Sequence, residues 1–415
     1  MKKLIFICTI LFLLSCGKEK PPLTPTVPEP TDTTSSNSLV IWQIPLTEDT
    51  SACFSIDTEM INDGILFSCR PAGFVTRDEL LRMVDKETGS LIWEWDNYIT
   101  TTVGQSAENV KVIEDQIIVM NSSQDNYGID ANTGQTVWSI LIEDGNPYIS
   151  SYGNLIFHTS SYGGSPISDS TNIRYCNGRL GDWQEIIKFY KTDEYEVNCK
   201  NPSAYVNHEG DTIIFFKVTQ LDISPYDVKV DFYCYNMTRD SILWMKEDFD
   251  PAGESNHNPP LIDGDYVYHV GVREVFCFDK FTGETIWQWG FPFESWTFFQ
   301  TDYLTHGDKF ILSRTNGDLF ALNKLTGEVI WVIEDHKAGF TPTSMTVYND
   351  KLYYGSGDFY IIDINEGKVR RSFPSPNTYD GFPSAIFRNN VTIDEENKRM
   401  YTTDEYFLIC MRLLE

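Results

Sequence analysis

A segment of the form Asp/Asn-x-x-Thr-Gly-x-x-x-Trp recurs along this chain, and its recurrence limits the fold more than any other feature. The clearest copies are Met83 to Trp93 (MVDKETGSLIW), Gly128 to Trp138 (GIDANTGQTVW), Cys277 to Trp287 (CFDKFTGETIW) and Ala321 to Trp331 (ALNKLTGEVIW). In each, Gly follows the Asp or Asn by four positions (Gly89, Gly134, Gly283, Gly327) and Trp follows it by eight. With Asp85, Asp130, Asn177, Asn236, Asp279, Asn323 and Asp363 as anchors, the spacings are 45, 47, 59, 43, 44 and 40 residues. A period in this range is that of four-stranded propeller blades.

The weaker copies keep the register. Asn177 retains Gly181 but has Trp183 two positions early, Asn236 retains Trp244 but has Asp240 in place of Gly, and Asp363 retains Gly367 but has Arg371 in place of Trp. The last segment supplies strand-like runs around Met400 to Thr403 and Tyr406 to Leu413 with no Trp-bearing strand after them. At the other end, Leu39 to Pro45 (LVIWQIP) looks like that missing strand, with Trp42 at the Trp position. Pairing the two termini closes the ring and covers two edges that would otherwise template aggregation. The expectation is an all-β, eight-bladed propeller closed by the N-terminal strand, with seven blades as the alternative count.

The motif has a local logic. An Asp or Asn at a strand end accepts hydrogen bonds from the backbone two residues on, and Thr-Gly then supplies a position with positive φ. Asp85, Asp130, Asp279 and Asn323 therefore read as turn formers. They do not read as metal ligands: the twelfth positions counted from Asp130 and Asp363 are Leu141 and Pro374, where a calcium loop needs a bidentate Glu. Six of the ten tryptophans (Trp42, Trp93, Trp138, Trp244, Trp287, Trp331) occupy the repeat position, where an indole fills the wedge between blades. The other four, Trp95, Trp183, Trp289 and Trp296, stand off it and are the candidates for a ligand or partner surface.

Residues 1–15 carry Lys2 and Lys3 before a short apolar run and read as a secretory signal. Leu13-Leu14-Ser15-Cys16 resembles the lipobox of bacterial lipoproteins, in which Cys16 would be acylated and become the mature N-terminus. Residues 16–38 are rich in Pro, Thr and Ser and read as an extended tether, which leaves residues 39–415 for the propeller. A lipid anchor on a tether suggests an outer-membrane lipoprotein, periplasmic or surface-facing. The formal charge of −28 and the absence of clustered Lys and Arg argue against a nucleic-acid partner.

Of nine cysteines, Cys8 and Cys16 belong to the signal region. Cys53 and Cys69 flank a hairpin turn at Asn62-Asp63-Gly64 and form the candidate disulfide. Cys234 and Cys277 hold equivalent repeat positions and read as buried strand residues. No cysteine pair has metal-ligand spacing, and no linear hydrolase, zincin or Walker motif is present. The expectation is accordingly no metal, no cofactor and no catalytic residue. The longest departure from the period, between Asn177 and Asn236, predicts long connections at 191–202 and 219–231, with Asp193, Tyr195, Asp222 and Tyr226 as binding candidates.

The repeated D-x-x-T-G-x-x-x-W resembles the pyrroloquinoline-quinone-like (PQQ-like) propeller repeat over nearly all of residues 39–415. That group includes quinoprotein dehydrogenases and the non-enzymatic BamB-like outer-membrane assembly lipoproteins. Size, signal, lipid cysteine and blade count resemble the second kind. The quinoprotein alcohol dehydrogenases carry adjacent cysteines over the cofactor ring, and this chain has none. The resemblance thus implies a non-catalytic scaffold for an envelope protein partner. A glycan or small-ligand module using the off-register tryptophans is the alternative, and a quinone-dependent oxidoreductase the third reading.

Overall fold

The computed structural model describes residues 36–47, 55–69, 80–99, 109–122, 125–141, 145–160, 170–193, 195–200, 202–222, 228–250, 258–271, 273–290, 302–314, 318–333, 344–377, 385–387 and 389–414. Eight antiparallel sheets follow one another. Blades 1 to 7 span 59–95, 109–141, 145–190, 195–246, 261–290, 303–333 and 346–373, and blade 8 joins 392–412 to the strand Val40–Pro45. In blade 1 the strands Glu59–Ile61, Gly64–Cys69, Leu80–Asp85 and Leu91–Trp95 pair in chain order from the axis outward. Among the described residues the chain is all-β apart from one helical turn at Ser36–Leu39, and no helix is long and apolar enough to cross a membrane.

The eight-blade count holds, and the N-terminal strand closes the ring. Val40–Pro45 pairs antiparallel with Phe407–Arg412, so that Trp42 lies opposite Cys410. A second closure lies nearer the axis: the Thr58 amide donates to Asn390 Oδ1 at 2.8 Å, and Asn390 Nδ2 donates back to the Thr58 carbonyl at 3.1 Å.

Burial follows position in the blade. The second and third strands are sandwiched by neighbouring blades on both faces, so Gly64–Cys69 and Ile117–Ser122 are buried at every residue. The outermost strands alternate instead, as in Thr285–Gly290. Among the described residues the apolar side chains fall into eight clusters, each shared by two adjacent blades. The core is therefore a ring of inter-blade wedges.

Blade 4 corrects one expectation. The long connections predicted at 191–202 and 219–231 are mostly strand: Thr212–Asp222 and Val228–Asn236 form one long hairpin, and Tyr195–Cys199 joins it as an additional strand. Tyr195 and Asp222 face each other in that ladder, and Tyr226 lies outside the described residues. The alternating pattern Val-Lys-Val-Asp (228–231) satisfies the two-residue period of a strand, which lets the ladder extend where a loop was expected.

Candidate functional site

All seven anchors lie at the turn between the third and fourth strands of their blades. Asp85 Oδ1 accepts the Glu87 and Thr88 amides at 3.1 and 2.8 Å and the Thr88 hydroxyl at 2.7 Å, and these bonds from Thr88 hold the Asp85 carboxyl below its ordinary range. Asp130 and Asp279 repeat this arrangement. Asn323 accepts the Leu325 and Thr326 amides. The carboxylates and amides are used in shaping the turn, as the sequence predicts.

Six of these seven turns are also sockets for the preceding blade. Trp93 Nε1 donates to the Ala131 carbonyl at 2.9 Å, and Trp138, Trp244, Trp287 and Trp331 donate likewise to Gly178, Lys280, Lys324 and Ile364. Trp42 reaches the Lys86 carbonyl at 3.3 Å. The indole lies flat on the turn glycine: at Gly134, with φ of +69°, a Cβ would stand 2.8 Å from Trp93, and at Gly327, with φ of +72°, 2.7 Å from Trp287. Glycine is required there twice over, by backbone conformation and by contact. The cross-strand partner of each Trp is correspondingly small or flexible: Met83, Gly128, Cys234, Cys277, Ala321 and Cys410.

Cys234, Cys277 and Cys410 are thus packing residues under an indole, and burial pushes each thiol up to about 12. Cys69 is buried at a strand end. Its expected disulfide partner Cys53 lies outside the described residues, as do Cys16 and Trp296.

The off-register tryptophans need correction. Trp95 is fully buried, packs edge-on against Tyr98 and Tyr127, and donates to Thr136 Oγ1 at 2.9 Å, so it offers no stacking face. Trp289 is half-buried against Phe320, and Trp183 is half-buried beside His158. The reason is strand geometry. Trp95 and Trp289 stand two residues after Trp93 and Trp287, hence on the same face of the strand.

A polar constellation that the sequence does not announce lies at one mouth of the central axis. The Asp57 carboxylate accepts Ser344 Oγ at 2.6 Å and the Asn390 amide at 3.0 Å, which ties blade 1 to blades 7 and 8. Asp302, before the first strand of blade 6, accepts the Tyr303 amide at 2.9 Å and the Met345 amide at 3.4 Å. Burial lifts the Asp302 carboxyl to about 6, with Asp57 adding to the rise and Lys111 opposing it. Glu59 is solvent-exposed on the first strand, and its carboxyl is raised by partial desolvation from the surrounding protein, again with Asp57 adding and Lys111 opposing. Residues from blades 1, 2, 6, 7 and 8 therefore share one electrostatic neighbourhood. Among the described residues no three His, Cys, Asp or Glu side chains are grouped as metal ligands.

The family described as outer membrane protein assembly factor BamB matches residues 35–183 and 230–380. Among solved structures, BamB from Moraxella catarrhalis is similar at a TM-score of 0.55 and 15% identity, over 88% of this chain and 99% of that one. The computationally designed Ika8 protein gives 0.58 and 13% over 88% and 97%. A europium-containing methanol dehydrogenase gives 0.64 and 11% over 90% and 93%. At these identities the structural likenesses establish the fold. No curated protein matches the chain. The repeat spacing, the eight tandem blades and the two matched halves of the ring agree: the chain belongs to the outer membrane protein assembly factor BamB family.

Proposed function

We propose that this protein is a lipid-anchored, non-catalytic scaffold that holds a protein partner at the outer membrane, in the assembly of outer-membrane proteins. The observation that carries this reading is the family match, which covers both halves of the propeller. The build of the ring supports it. Six indole sockets and two layers of terminal closure make a rigid platform, and a rigid platform binds by holding loops and rim residues in fixed relative positions. Acylation at Cys16 and the tether of 16–38 would keep the ring near the bilayer while leaving it free to turn. Quinone chemistry finds less support in the chain, which lacks the adjacent cysteines of the quinoprotein alcohol dehydrogenases. The glycan reading loses Trp95 to the core.

The test is in-cell crosslinking of the tagged, lipidated protein followed by mass spectrometry of what is attached. Recovery of outer-membrane assembly components above a Cys16→Ala control supports the scaffold reading. Recovery of no protein, together with binding on a glycan array, replaces it with a ligand module.

A further inference from the structure

The sockets have a consequence at the rim. Six of the seven turns are seated on the Trp-bearing outer strand of the preceding blade, and the second residue after the anchor belongs to that turn. In blades 1, 2, 3, 4 and 7 this residue is Glu87, Asn132, Arg179, Thr238 or Asn365. In blades 5 and 6 it is Phe281, 57% exposed, and Leu325, 48% exposed. Phe281 belongs to the turn that receives Trp244, from a strand that carries exposed Ile242 and Leu243, and Leu325 to the turn that receives Trp287, from a strand that carries exposed Ile286. Exposed Val329, Ile330 and Val332 follow on blade 6. At the second position after the anchor the turn residue is thus apolar in blades 5 and 6 and polar in the other five; blade 3 carries its exposed apolar residue, Leu180, one position later.

The charges in this strip are uneven. The lysines after the two anchors are engaged: Lys324 Nζ lies 2.8 Å from Asp263, and Lys280 pairs with Asp265 while lying over the Phe281 ring. Glu284 and Glu328, one in each turn, are exposed and form no ion pair among the described residues. Exposed aliphatic residues together with carboxylates held in no ion pair, on a chain of net charge −28, complement a partner that is apolar and basic. The direction of the strip selects the partner's shape. An added strand must run along one outer strand and covers one blade, whereas a helix lying across the rim reaches all three.

Resting on the scaffold reading above, we propose that the turn-face rim of blades 4 to 6 is the docking surface for a basic amphipathic helix of a partner protein, with Phe281 and Leu325 as its apolar anchors and Glu284 and Glu328 as its charge contacts.

Three labelled synthetic peptides test this on the mature chain carrying Cys16→Ser: a helix with a leucine face flanked by lysines, the same helix with glutamates for lysines, and an alternating valine–lysine strand. In fluorescence anisotropy the lysine helix is expected to bind at least tenfold tighter than either other peptide. Phe281→Ser with Leu325→Ser should weaken it about tenfold, and Glu284→Gln with Glu328→Gln about fivefold. Glu87→Gln with Asn132→Ser, at the same turn position in blades 1 and 2, should leave it unchanged. Equal binding to all variants, tighter binding of the strand, or absence of binding overturns the proposal. So does concentration-dependent dimerisation, or sedimentation with phosphatidylethanolamine–phosphatidylglycerol vesicles, that the Phe281 and Leu325 substitutions abolish, since the strip would then serve a second copy or a bilayer. In cells, a photocrosslinker at 281 or 325 should capture a basic helical peptide identified by mass spectrometry, and one at 87 or 132 should not. Capture only at other surfaces leaves the scaffold reading standing and removes this site, and capture nowhere removes both.

Discussion

The outer rim and the axial mouth hold the same eight blades together by opposite means. At the rim an indole, a positive-φ glycine and a backbone carbonyl recur in six of the eight junctions, and the contact is apolar with one hydrogen bond from the indole. At the mouth, Asp57, Glu59, Lys111 and Asp302 come from blades 1, 2 and 6, with no repeat among them, and their contacts are ionic and hydrogen-bonded. Rim stability should therefore depend on shape and ignore pH, whereas mouth stability should follow protonation.

The two junctions without an indole sharpen the point, because each lacks both halves of the lock. In blade 4 Asp240 replaces the turn glycine, still at φ of +52°, and no Trp from blade 3 reaches it; its carboxylate accepts the Tyr235 hydroxyl instead. Blade 7 offers Arg371 because blade 8 has no third-to-fourth-strand turn to receive a Trp. Blade 8 takes its fourth strand from Val40–Pro45, and Leu413 makes the backbone bond to Lys398 that Ile364 makes to Asp350 one blade earlier. These junctions close on other contacts, with Phe189 against Tyr233 in one and Tyr353 donating to the Leu414 carbonyl in the other.

The largest effect should come from emptying a socket. Trp331→Ala is expected to cost about 3–5 kcal/mol at any pH between 5 and 8, read by denaturant melts, while Arg371→Ala at the matching position should cost under about 0.5 kcal/mol. Equal losses would show that the socket is not what joins the blades.

Next is the mouth. Asp302 titrates near 6 in the fold against an ordinary 3.8, so its neutral form is favoured by folding. The associated stability is full below about pH 3.8 and is lost as pH rises through 6, an upper limit of about 3 kcal/mol. Asp302→Asn, which stays neutral, should therefore gain on the wild type in melting temperature from pH 4.5 to 7.5. A constant difference would mean that the surroundings of half-buried Asp302 do not disfavour its charged form.

Smaller again, Gly327→Ala should cost about 2 kcal/mol by straining a left-handed turn against the Trp287 ring. The reverse change in the socketless turn, Asp240→Gly, should shift stability by less than about 1 kcal/mol. A large loss there would reveal a role for the Tyr235–Asp240 bond beyond the turn.

Much of the rim was legible because its determinants are local. Asp85 to Trp93 carries its own turn, its own positive-φ position and its own indole within nine residues, so one blade can be read without knowing the next. Even the paired departures at Asp240 and Arg371 were visible as exceptions, although the reason needed the neighbour's coordinates. Trp95, a surface candidate on sequence, is core, because its two-residue offset from buried Trp93 places it on the same face, and Trp289 at the same offset from Trp287 is half-buried. The mouth left no comparable trace. Asp57, Asp302, Ser344 and Asn390 stand just before the first strands of their blades, where the repeat has no consensus, and Asp57 meets Asn390 only because the ring closes.

By itself, then, the sequence determined the period, the turns, the indole positions and the use of both termini in one blade, since these follow from residue spacing and short-range hydrogen bonding. Tertiary structure alone decided which carbonyl each indole meets, that the long segment of blade 4 is strand, which carboxylates share the axis, and that the turns of Phe281 and Leu325 are seated on the outer strands of the preceding blades. Those outcomes depend on contacts between residues tens to hundreds of positions apart, and only the closing of the ring fixes them.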